Sequence, residues 1–327
     1  MPDMTETAVP GGFVDAVVRV GDTVRRPALP PRRLCPRLLL ASPMLPSVAE
    51  STWEWDPSLY SGSATYYARG RLAYPTALAD ALATQLHLDG SGRLLDVGCG
   101  PGSLTLLLAD RFEEAIGLDA DRGMIDEAGR LASQTGTRNT RWLHMRAEDL
   151  PAGLGAVRLV TFAQSFHWMD RPRVAAAVRG MLEAGGACAH VHATTHQGVD
   201  STVTLPCPRP PHSAIAELVG RYLGPVRRAG RGLLPHGTVT GEAEVYRAAG
   251  FTGPRRIEIP GHAVTRATED IVAAVFSLSS SAPDLFGDHR AAFETELRQL
   301  LLSASPNGMF SEQTREIAVD ISTTGSR

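Results

Sequence analysis

Lysine is absent from the sequence, so each of the 32 basic residues is an arginine. This absence argues against several enzyme classes whose chemistry needs a lysine. P-loop proteins and protein kinases place one on the nucleotide phosphates, and Schiff-base enzymes use one as the nucleophile. Arginine in place of lysine, with abundant alanine and glycine, is typical of a bacterial genome rich in G and C.

Cysteine and long apolar runs are also scarce. The four cysteines, at positions 35, 99, 188 and 207, form no C-x-x-C pair, which argues against a zinc ribbon or a disulfide framework and fits a reducing cytosol. No apolar run approaches the roughly 20 residues that span a bilayer, and the first residues lack a signal-peptide pattern. We therefore expect a cytoplasmic protein.

A net charge of −3 gives no overall attraction to nucleic acid or to an anionic membrane. We therefore expect a small-molecule partner, with no nucleic-acid or membrane partner, and the oligomeric state stays open. Prolines interrupt any long periodic pattern in residues 1–50, which we expect to be a disordered N-terminal extension. Residues 51–327 are expected to form one domain, with a cofactor-binding half at 60–195 and a helical cover with the last strands at 196–327.

From about residue 60 onward, short apolar strands alternate with helices of about ten residues. This rhythm predicts an α/β fold with a doubly wound, mostly parallel, seven-stranded sheet, helices on both faces and helical insertions in the C-terminal half. The predicted strands are Arg93–Val97, Ala115–Leu118, Arg141–Met145, Val157–Ala163, Gly186–His192, Arg256–Ile259 and Glu316–Ile321. The predicted insertions are helices at Ile215–Leu223, Thr240–Ala249, Ala267–Leu278 and Asp288–Leu302.

The first strand runs into a glycine loop with Gly98, Gly100 and Gly102, and then directly into a helix. Glycines let the chain turn tightly and let a ligand lie against the backbone. A nicotinamide-binding loop needs glycine or alanine where this chain has Ser103. Asp96, at the strand end, would repel a pyrophosphate but suits a cationic ligand such as S-adenosylmethionine.

This loop resembles motif I of class I methyltransferases. The resemblance implies that Asp119, at the end of the second strand, holds the ribose hydroxyls of S-adenosylmethionine, and that Met124, in the turn after Ala120, packs on the adenine. Ala147 and Glu148 resemble the loop that lines the adenine edge. Many relatives have Asp just before this pair where this chain has Arg146, so the adenine contacts are expected to differ.

The end of the fourth strand, from Gln164 to Trp168, resembles the Gln-x-x-His-Trp element of a small-molecule branch that includes trans-aconitate-type methyltransferases. His167 is the candidate catalytic base because imidazole titrates near neutral pH. The alternative is that His167 only lines a substrate pocket beside Trp168. Gln164 is expected to bond cofactor or substrate, and His196 to border the substrate pocket.

Upstream, the segment around Arg71 resembles the part of these relatives that closes over the cofactor, where an arginine pairs with the methionine carboxylate. The alternative is a surface arginine. His190 and His192 share one strand face, but their spacing lacks the helical pattern of zinc ligands. We therefore predict no metal site.

The leading hypothesis is an S-adenosylmethionine-dependent methyltransferase that acts on a small molecule by in-line displacement. Because sulfonium is a good leaving group, such an enzyme works mainly by aligning the nucleophile with the methyl group. Two alternatives stay open. The first is an NAD-linked oxidoreductase, which Ser103 and Asp96 disfavour, and the second is a non-catalytic protein that binds S-adenosylmethionine.

Overall fold

The computed structural model describes residues 55–234, 238 and 240–325, together with the backbone of three short strands near the N-terminus. Residues 1–52 and 53–327 form separate compact units. In the first unit, Thr7–Ala8, Val18–Val20 and Thr23–Arg25 pair as an antiparallel sheet in chain order. The other residues of 1–50, which we predict to be disordered, lie outside the described part of the chain.

The second unit is built on a seven-stranded sheet, and its strands alternate with helices along the chain. The strands are β1 (Arg93–Val97), β2 (Glu114–Asp119), β3 (Thr140–His144), β4 (Val157–Ala163), β5 (Leu182–His192), β6 (Thr252–Ile259) and β7 (Ile317–Thr323). The helices are α1 (Ala64–Gly70), α2 (Thr76–Leu86), α3 (Ser103–Leu108), α4 (Arg122–Thr135), α5 (Arg171–Met181), α6 (His212–Leu223), α7 (Glu242–Ala248), α8 (Thr268–Phe276) and α9 (Arg290–Ala304).

The strand order across the sheet is β6–β7–β5–β4–β1–β2–β3. The pairs β1–β2, β1–β4, β2–β3 and β4–β5 are parallel, whereas β7 is antiparallel to both β5 and β6. The predicted doubly wound, mostly parallel sheet is thus confirmed. The chain reverses its direction of travel across the sheet between β1 and β4, and ligands of such folds bind beside this reversal, at the carboxyl ends of the strands.

Adjacent residues of the central strands face opposite sides of the sheet, and both sides are buried. On β1, Leu94 packs with Leu82 of α2 and Leu108 of α3, whereas Leu95 packs with Val178 of α5 on the other face. This two-sided burial explains why these strands are continuous apolar runs in the sequence.

The observed bounds differ from the predicted ones most at β5 and β6, each of which begins four residues before its predicted start. Strand β5 begins at Leu182 and not at Gly186, because the chain passes from α5 into β5 without a loop. Gly185 has a φ of +81° inside the strand, and this irregularity at a glycine pair looks like a strand boundary in the sequence. Asp170 is the N-cap of α5, since its carboxylate accepts a hydrogen bond from Arg173 N.

The C-terminal half adds a cover of helices α6, α8 and α9, which share one apolar cluster centred on Phe276, Phe293 and Phe310. The cover also contains a two-stranded antiparallel sheet, Ala263–Ala267 with Met309–Gln313, which the sequence analysis does not predict. Arg266 and Glu312 form a buried ion pair across this two-stranded sheet, with a guanidinium nitrogen 3.1 Å from a carboxylate oxygen. No helix in the described part of the chain has the length and apolar character needed to cross a membrane.

Gly70, the last residue of α1, gives a test of how α1 packs on α8. A Cβ at this buried position would lie 2.3 Å from the backbone carbon of Ala273. Because overpacking forces backbone to shift, we expect Gly70→Ala to lower the free energy of unfolding by about 1–3 kcal/mol. Urea denaturation measures this change.

The matched control is Gly180, which lies near the end of α5, is exposed and has no atom within 4 Å of a built Cβ. Alanine is the better helix former, so Gly180→Ala should raise the free energy of unfolding by about 0.5–1 kcal/mol. Changes of the same sign and size in the two variants would contradict the close contact of α1 with α8.

Candidate functional site

Three glycines after β1 adopt backbone conformations that other residues rarely take. The φ angles of Gly98, Gly100 and Gly102 are +69°, +56° and +79°, in the left-handed region that favours glycine. A Cβ at Gly98 would lie 2.5 Å from the Cβ of Ser165, and one at Gly102 would lie 2.5 Å from the Trp142 ring. A Cβ at Gly100 would meet nothing within 3.8 Å, its nearest neighbour being a tyrosine ring at 3.9 Å. Gly100 thus presents bare backbone to open space.

The end of β2 holds this loop in place. The carbonyl of Leu118 accepts hydrogen bonds from both Gly98 N and Cys99 N at 2.9 Å. The next residue, Asp119, accepts a hydrogen bond from Gly100 N at 2.8 Å through its carboxylate. The predicted loop residues and the predicted second-strand acid are therefore in direct contact.

The two carboxylate oxygens of Asp119 have different backbone donors. The second oxygen accepts a hydrogen bond from Asp121 N at 2.8 Å. Each carboxylate oxygen can accept a further hydrogen bond, so Asp119 can also receive the hydroxyl groups of a ligand. Burial raises the pKa of Asp119 to about 6.

A cavity of about 60 Å³ lies in front of the loop. Its described lining includes nine of the predicted site residues: Gly98, Gly100, Asp119, Ala120, Met124, Ala147, Glu148, Gln164 and Trp168. The charged residues among the described lining are both acidic, Asp119 and Glu148. The cavity therefore favours a cationic or neutral ligand over an anionic one.

Asp96 lies in an adjoining cavity of about 30 Å³, which shares Gly98 and Gly100 with the first. Its carboxylate is 1% exposed and accepts hydrogen bonds from the hydroxyls of Thr105 at 2.6 Å and Thr161 at 2.8 Å. Burial raises the pKa of Asp96. Both oxygens are thus held by the protein, and direct contact with a ligand stays a prediction.

Arg71 borders the same small cavity. Its guanidinium donates hydrogen bonds to the hydroxyl and the carbonyl of Ser277 at 2.8 Å and to the Thr195 hydroxyl at 3.2 Å. It also stacks over the Tyr67 ring at 4.4 Å. Arg71 is therefore a half-buried cation held in place by these contacts, and its pairing with a ligand carboxylate stays a prediction.

Glu148 connects the loop after β3 to the start of α5. One carboxylate oxygen accepts a hydrogen bond from Asp170 N at 2.8 Å, and the other lies 3.4 Å from Arg146 Nε. Arg146, which stands where many relatives have Asp, thus contacts the acid that follows it. Gln164, at the end of β4, has a φ of +60° and donates a hydrogen bond from its side chain to the Val191 carbonyl. Such strain in a residue other than glycine is found most often at functional sites.

His167 lies in the 3₁₀ turn Phe166–Trp168, which follows β4, with its ring 4.7 Å from that of Trp168. Burial, and then the charges of Arg227 and Arg171, lower the pKa of His167 to about 4. The ring is therefore neutral at pH 7 but is a weak base. Trp168 lines the cavity in front of the glycine loop, whereas His167 is not among the lining residues described for it.

The two histidines of β5 have protein partners. The His190 ring lies 3.1 Å from the Tyr246 hydroxyl, and the His192 ring lies 3.0 Å from the Asp320 carboxylate. In the described residues, no group of three or more His, Cys, Asp or Glu side chains is arranged to hold a metal ion.

His196 lies after β5 and lines a second, larger cavity of about 280 Å³ between α6 and α8. Thus the two residues predicted for the substrate pocket are in different cavities, with Trp168 in the first and His196 in the second. The sequence analysis does not name three aromatic residues that also line the first cavity: Trp55, Tyr60 and Tyr67. Their one sequence signal is a cluster of aromatic residues before and within α1.

Comparison with known proteins shows what the central region is similar to. Residues 94–186, from β1 into β5, match the family described as a methyltransferase domain. The matched residues include Gly98, Gly100, Asp119, Ala147 and Glu148, which line part of the first cavity.

Two curated relatives extend this likeness. An uncharacterized methyltransferase of Mycobacterium tuberculosis is 31% identical over 53% of this chain and 63% of its own length. A probable S-adenosylmethionine-dependent methyltransferase of Saccharomyces cerevisiae is 27% identical over 38% of this chain and 43% of its own. The chain thus spans less than two thirds of the length of either relative. The solved structure of YcgJ from Bacillus subtilis is 16% identical, with a TM-score of 0.44, over 77% of this chain and all of that one.

The Asp119 carboxyl gives a pH test. We expect Asp119 to titrate near pH 6, because burial raises its pKa from the ordinary 3.8 to about 6. Since the native chain then holds this proton more tightly than the unfolded chain, the contribution of Asp119 to the free energy of unfolding falls as pH rises through this interval. The carboxyl ¹³C chemical shift measures the titration, and the signal that Asp119→Asn removes identifies it. A midpoint near 4 would contradict the burial of this group.

Proposed function

We propose that this protein binds S-adenosylmethionine and transfers its methyl group to a small-molecule acceptor. One observation carries the proposal: the cavity in front of the glycine loop is lined by acids without a described basic residue. S-adenosylmethionine carries a sulfonium and an ammonium, so this cavity favours it electrostatically. The aromatic rings of Tyr60, Tyr67 and Trp168 also suit a sulfonium, because the faces of such rings attract cations.

The chain's residues fit this cofactor part by part. Asp119 has acceptor capacity for the ribose hydroxyls, and Met124 and Ala147 offer apolar contact to the adenine. In the adjoining cavity, Asp96 supplies a carboxyl and Arg71 a guanidinium to the methionine part of the cofactor. This part bears one ammonium and one carboxylate. Gly100 leaves the backbone open for close approach. When bound, the cofactor supplies an electrophilic methyl group with a neutral leaving group.

An NAD-linked oxidoreductase is the weaker candidate. NAD carries an anionic pyrophosphate, whereas the charged residues in the described lining of the first cavity are both acidic, and like charges in a buried site repel strongly. The helix after the loop begins at Ser103, so the third glycine of the nicotinamide pattern is absent from its place. NAD therefore serves as the negative control for cofactor binding.

The protein's own contribution is mainly alignment and exclusion of water. The buried aromatic and apolar lining limits the access of water, and the fixed loop holds a ligand in one orientation. His167 is placed to accept a proton only from an acceptor that is itself readily ionised, because its pKa of about 4 makes it a weak base. We therefore propose that it positions the acceptor or removes a proton late in the transfer.

Asp119→Ala tests the cofactor site. We expect this change to weaken the binding of S-adenosylmethionine by roughly 100-fold, because it removes charge-assisted hydrogen bonds to the ribose. Isothermal titration calorimetry measures the affinity, and the folded state is checked by circular dichroism. The control is Asp126→Ala on α4, an exposed acid paired with Arg122, which should bind as the wild type does. Unchanged affinity in Asp119→Ala, or tighter binding of NAD than of S-adenosylmethionine, would refute the proposal.

His167→Ala separates turnover from cofactor binding. We expect turnover to fall by about 10²–10⁴-fold if the imidazole moves a proton, while the affinity for S-adenosylmethionine changes little because His167 is outside the described cofactor lining. Mass spectrometry of a bacterial extract incubated with protein and methyl-labelled cofactor detects the methylated product. Full turnover in the variant would remove His167 from the mechanism.

A further inference from the structure

The second cavity has apolar walls on two sides. They come from facing sides of α6 and of α8 with the turn after it: Ile215, Val219 and Leu223, and Ile271, Val275 and Leu278. Its volume of about 280 Å³ is more than four times the 60 Å³ of the first cavity. A cavity with apolar walls and a few polar groups is the usual form of a small-molecule site. The second cavity therefore suits a ligand with an apolar body.

His212 and the two arginines of this cavity already interact within the protein. The His212 ring lies 2.7 Å from the buried carboxylate of Glu312. Arg228 donates a hydrogen bond from Nε to the carbonyl of Leu223 at 2.9 Å, so it lies at the carboxyl end of α6, where a helix favours a cation. Arg227 also interacts with other groups of the protein. We therefore expect the polar part of a ligand to meet the uncharged part of the described lining.

The side chains of His196 and Gln197 also line the cavity, and they make no hydrogen bond within the described part of the chain. Burial, and then nearby basic side chains, lower the pKa of His196 to about 3, so its ring is neutral at pH 7. A neutral imidazole has one donor and one acceptor nitrogen, and a carboxamide has both a donor and an acceptor group. The hydrogen-bonding capacity that these two residues offer to a ligand is therefore uncharged and of both kinds.

The second cavity lies beside the cavities at the glycine loop. His196 follows directly on Thr195, which lines the small cavity that adjoins the first. The Arg71 guanidinium holds this boundary through hydrogen bonds to the Thr195 hydroxyl at 3.2 Å and to the Ser277 hydroxyl at 2.8 Å. Ser277 in turn directly precedes Leu278, a wall residue of the second cavity. Neighbours in the chain and hydrogen bonds thus connect the second cavity with the small one.

We propose that the second cavity is a binding site for an uncharged, apolar molecule that carries a hydroxyl group. The apolar body lies between α6 and α8, and the hydroxyl exchanges hydrogen bonds with His196 and Gln197. A hydroxyl both donates and accepts, so it matches these side chains, whereas a carboxylate only accepts and brings a charge into apolar surroundings. This ligand is distinct from S-adenosylmethionine, so its binding does not depend on the proposed methyl transfer.

Three probes with one apolar body test the class of ligand: 2-naphthol, 2-methylnaphthalene and 2-naphthoate carry a hydroxyl, a methyl and a carboxylate group. Equilibrium dialysis against the full-length protein at pH 7 measures their affinities. We expect 2-naphthol to bind about fivefold more tightly than 2-naphthoate, or better, because the carboxylate loses more hydration. Gln197→Leu should weaken 2-naphthol about three- to tenfold through lost hydrogen bonding and leave 2-methylnaphthalene unchanged, which also shows that the variant is folded.

Ala216→Trp tests the location of the site. Ala216 lines the cavity from an exposed position on α6, so the indole fills the space while the buried core stays as it is. We expect this variant to weaken 2-naphthol and 2-methylnaphthalene by a similar factor of about ten or more. The control is Ser213→Trp, which should bind both probes as the wild type does, because Ser213 is an exposed residue of the same helix outside the described lining.

Four results would overturn the inference: no binding of 2-naphthol, tighter binding of 2-naphthoate, an unchanged 2-naphthol affinity in Gln197→Leu, or equal effects of Ala216→Trp and Ser213→Trp. The affinity for S-adenosylmethionine is measured on the same samples, and Ala216→Trp should leave it unchanged. Loss of both ligands in that variant would contradict a separate site. If the wild type binds 2-naphthol as expected but not S-adenosylmethionine, the proposed function fails while the second site stands.

Discussion

The site depends on one connection, the pinning of the glycine loop to the end of β2. Hydrogen bonds from Gly98, Cys99 and Gly100 to Leu118 and Asp119 hold a turn that requires positive φ angles. The same carboxylate faces the cavity, so the group that shapes the loop is also the group available to a ligand. Because that carboxylate is buried at the carboxyl ends of parallel strands, it determines the charge of the ligand that the cavity favours.

The two cavities differ in the charge of their lining, and this difference in charge follows from the elements that build each cavity. The first is built from strand ends and loops of the sheet together with aromatic residues before and within α1, and its charged lining is acidic. The second is built from the helical cover of the C-terminal half, and its charged lining is basic.

Much of the sheet and of the cofactor cavity could be predicted from sequence, because both rest on local patterns. The bounds of β1 and β4 match the predicted ones, since a strand that is buried on both faces is a continuous apolar run in the sequence. The two-stranded sheet that contains Arg266 and Glu312 could not be predicted. It pairs segments that are more than 40 residues apart and buries charges expected at the surface. The second cavity and the hydrogen bonds of Asp96 to Thr105 and Thr161 likewise depend on contacts between distant segments.

The most direct test of the account is a crystal structure of the protein with S-adenosylmethionine bound. The account predicts the ribose hydroxyls on the Asp119 carboxylate, the adenine against Met124, and the amino-acid end toward Asp96 and Arg71. A cofactor bound elsewhere on the chain, or a ribose without contact to Asp119, would contradict the central role of the pinned glycine loop.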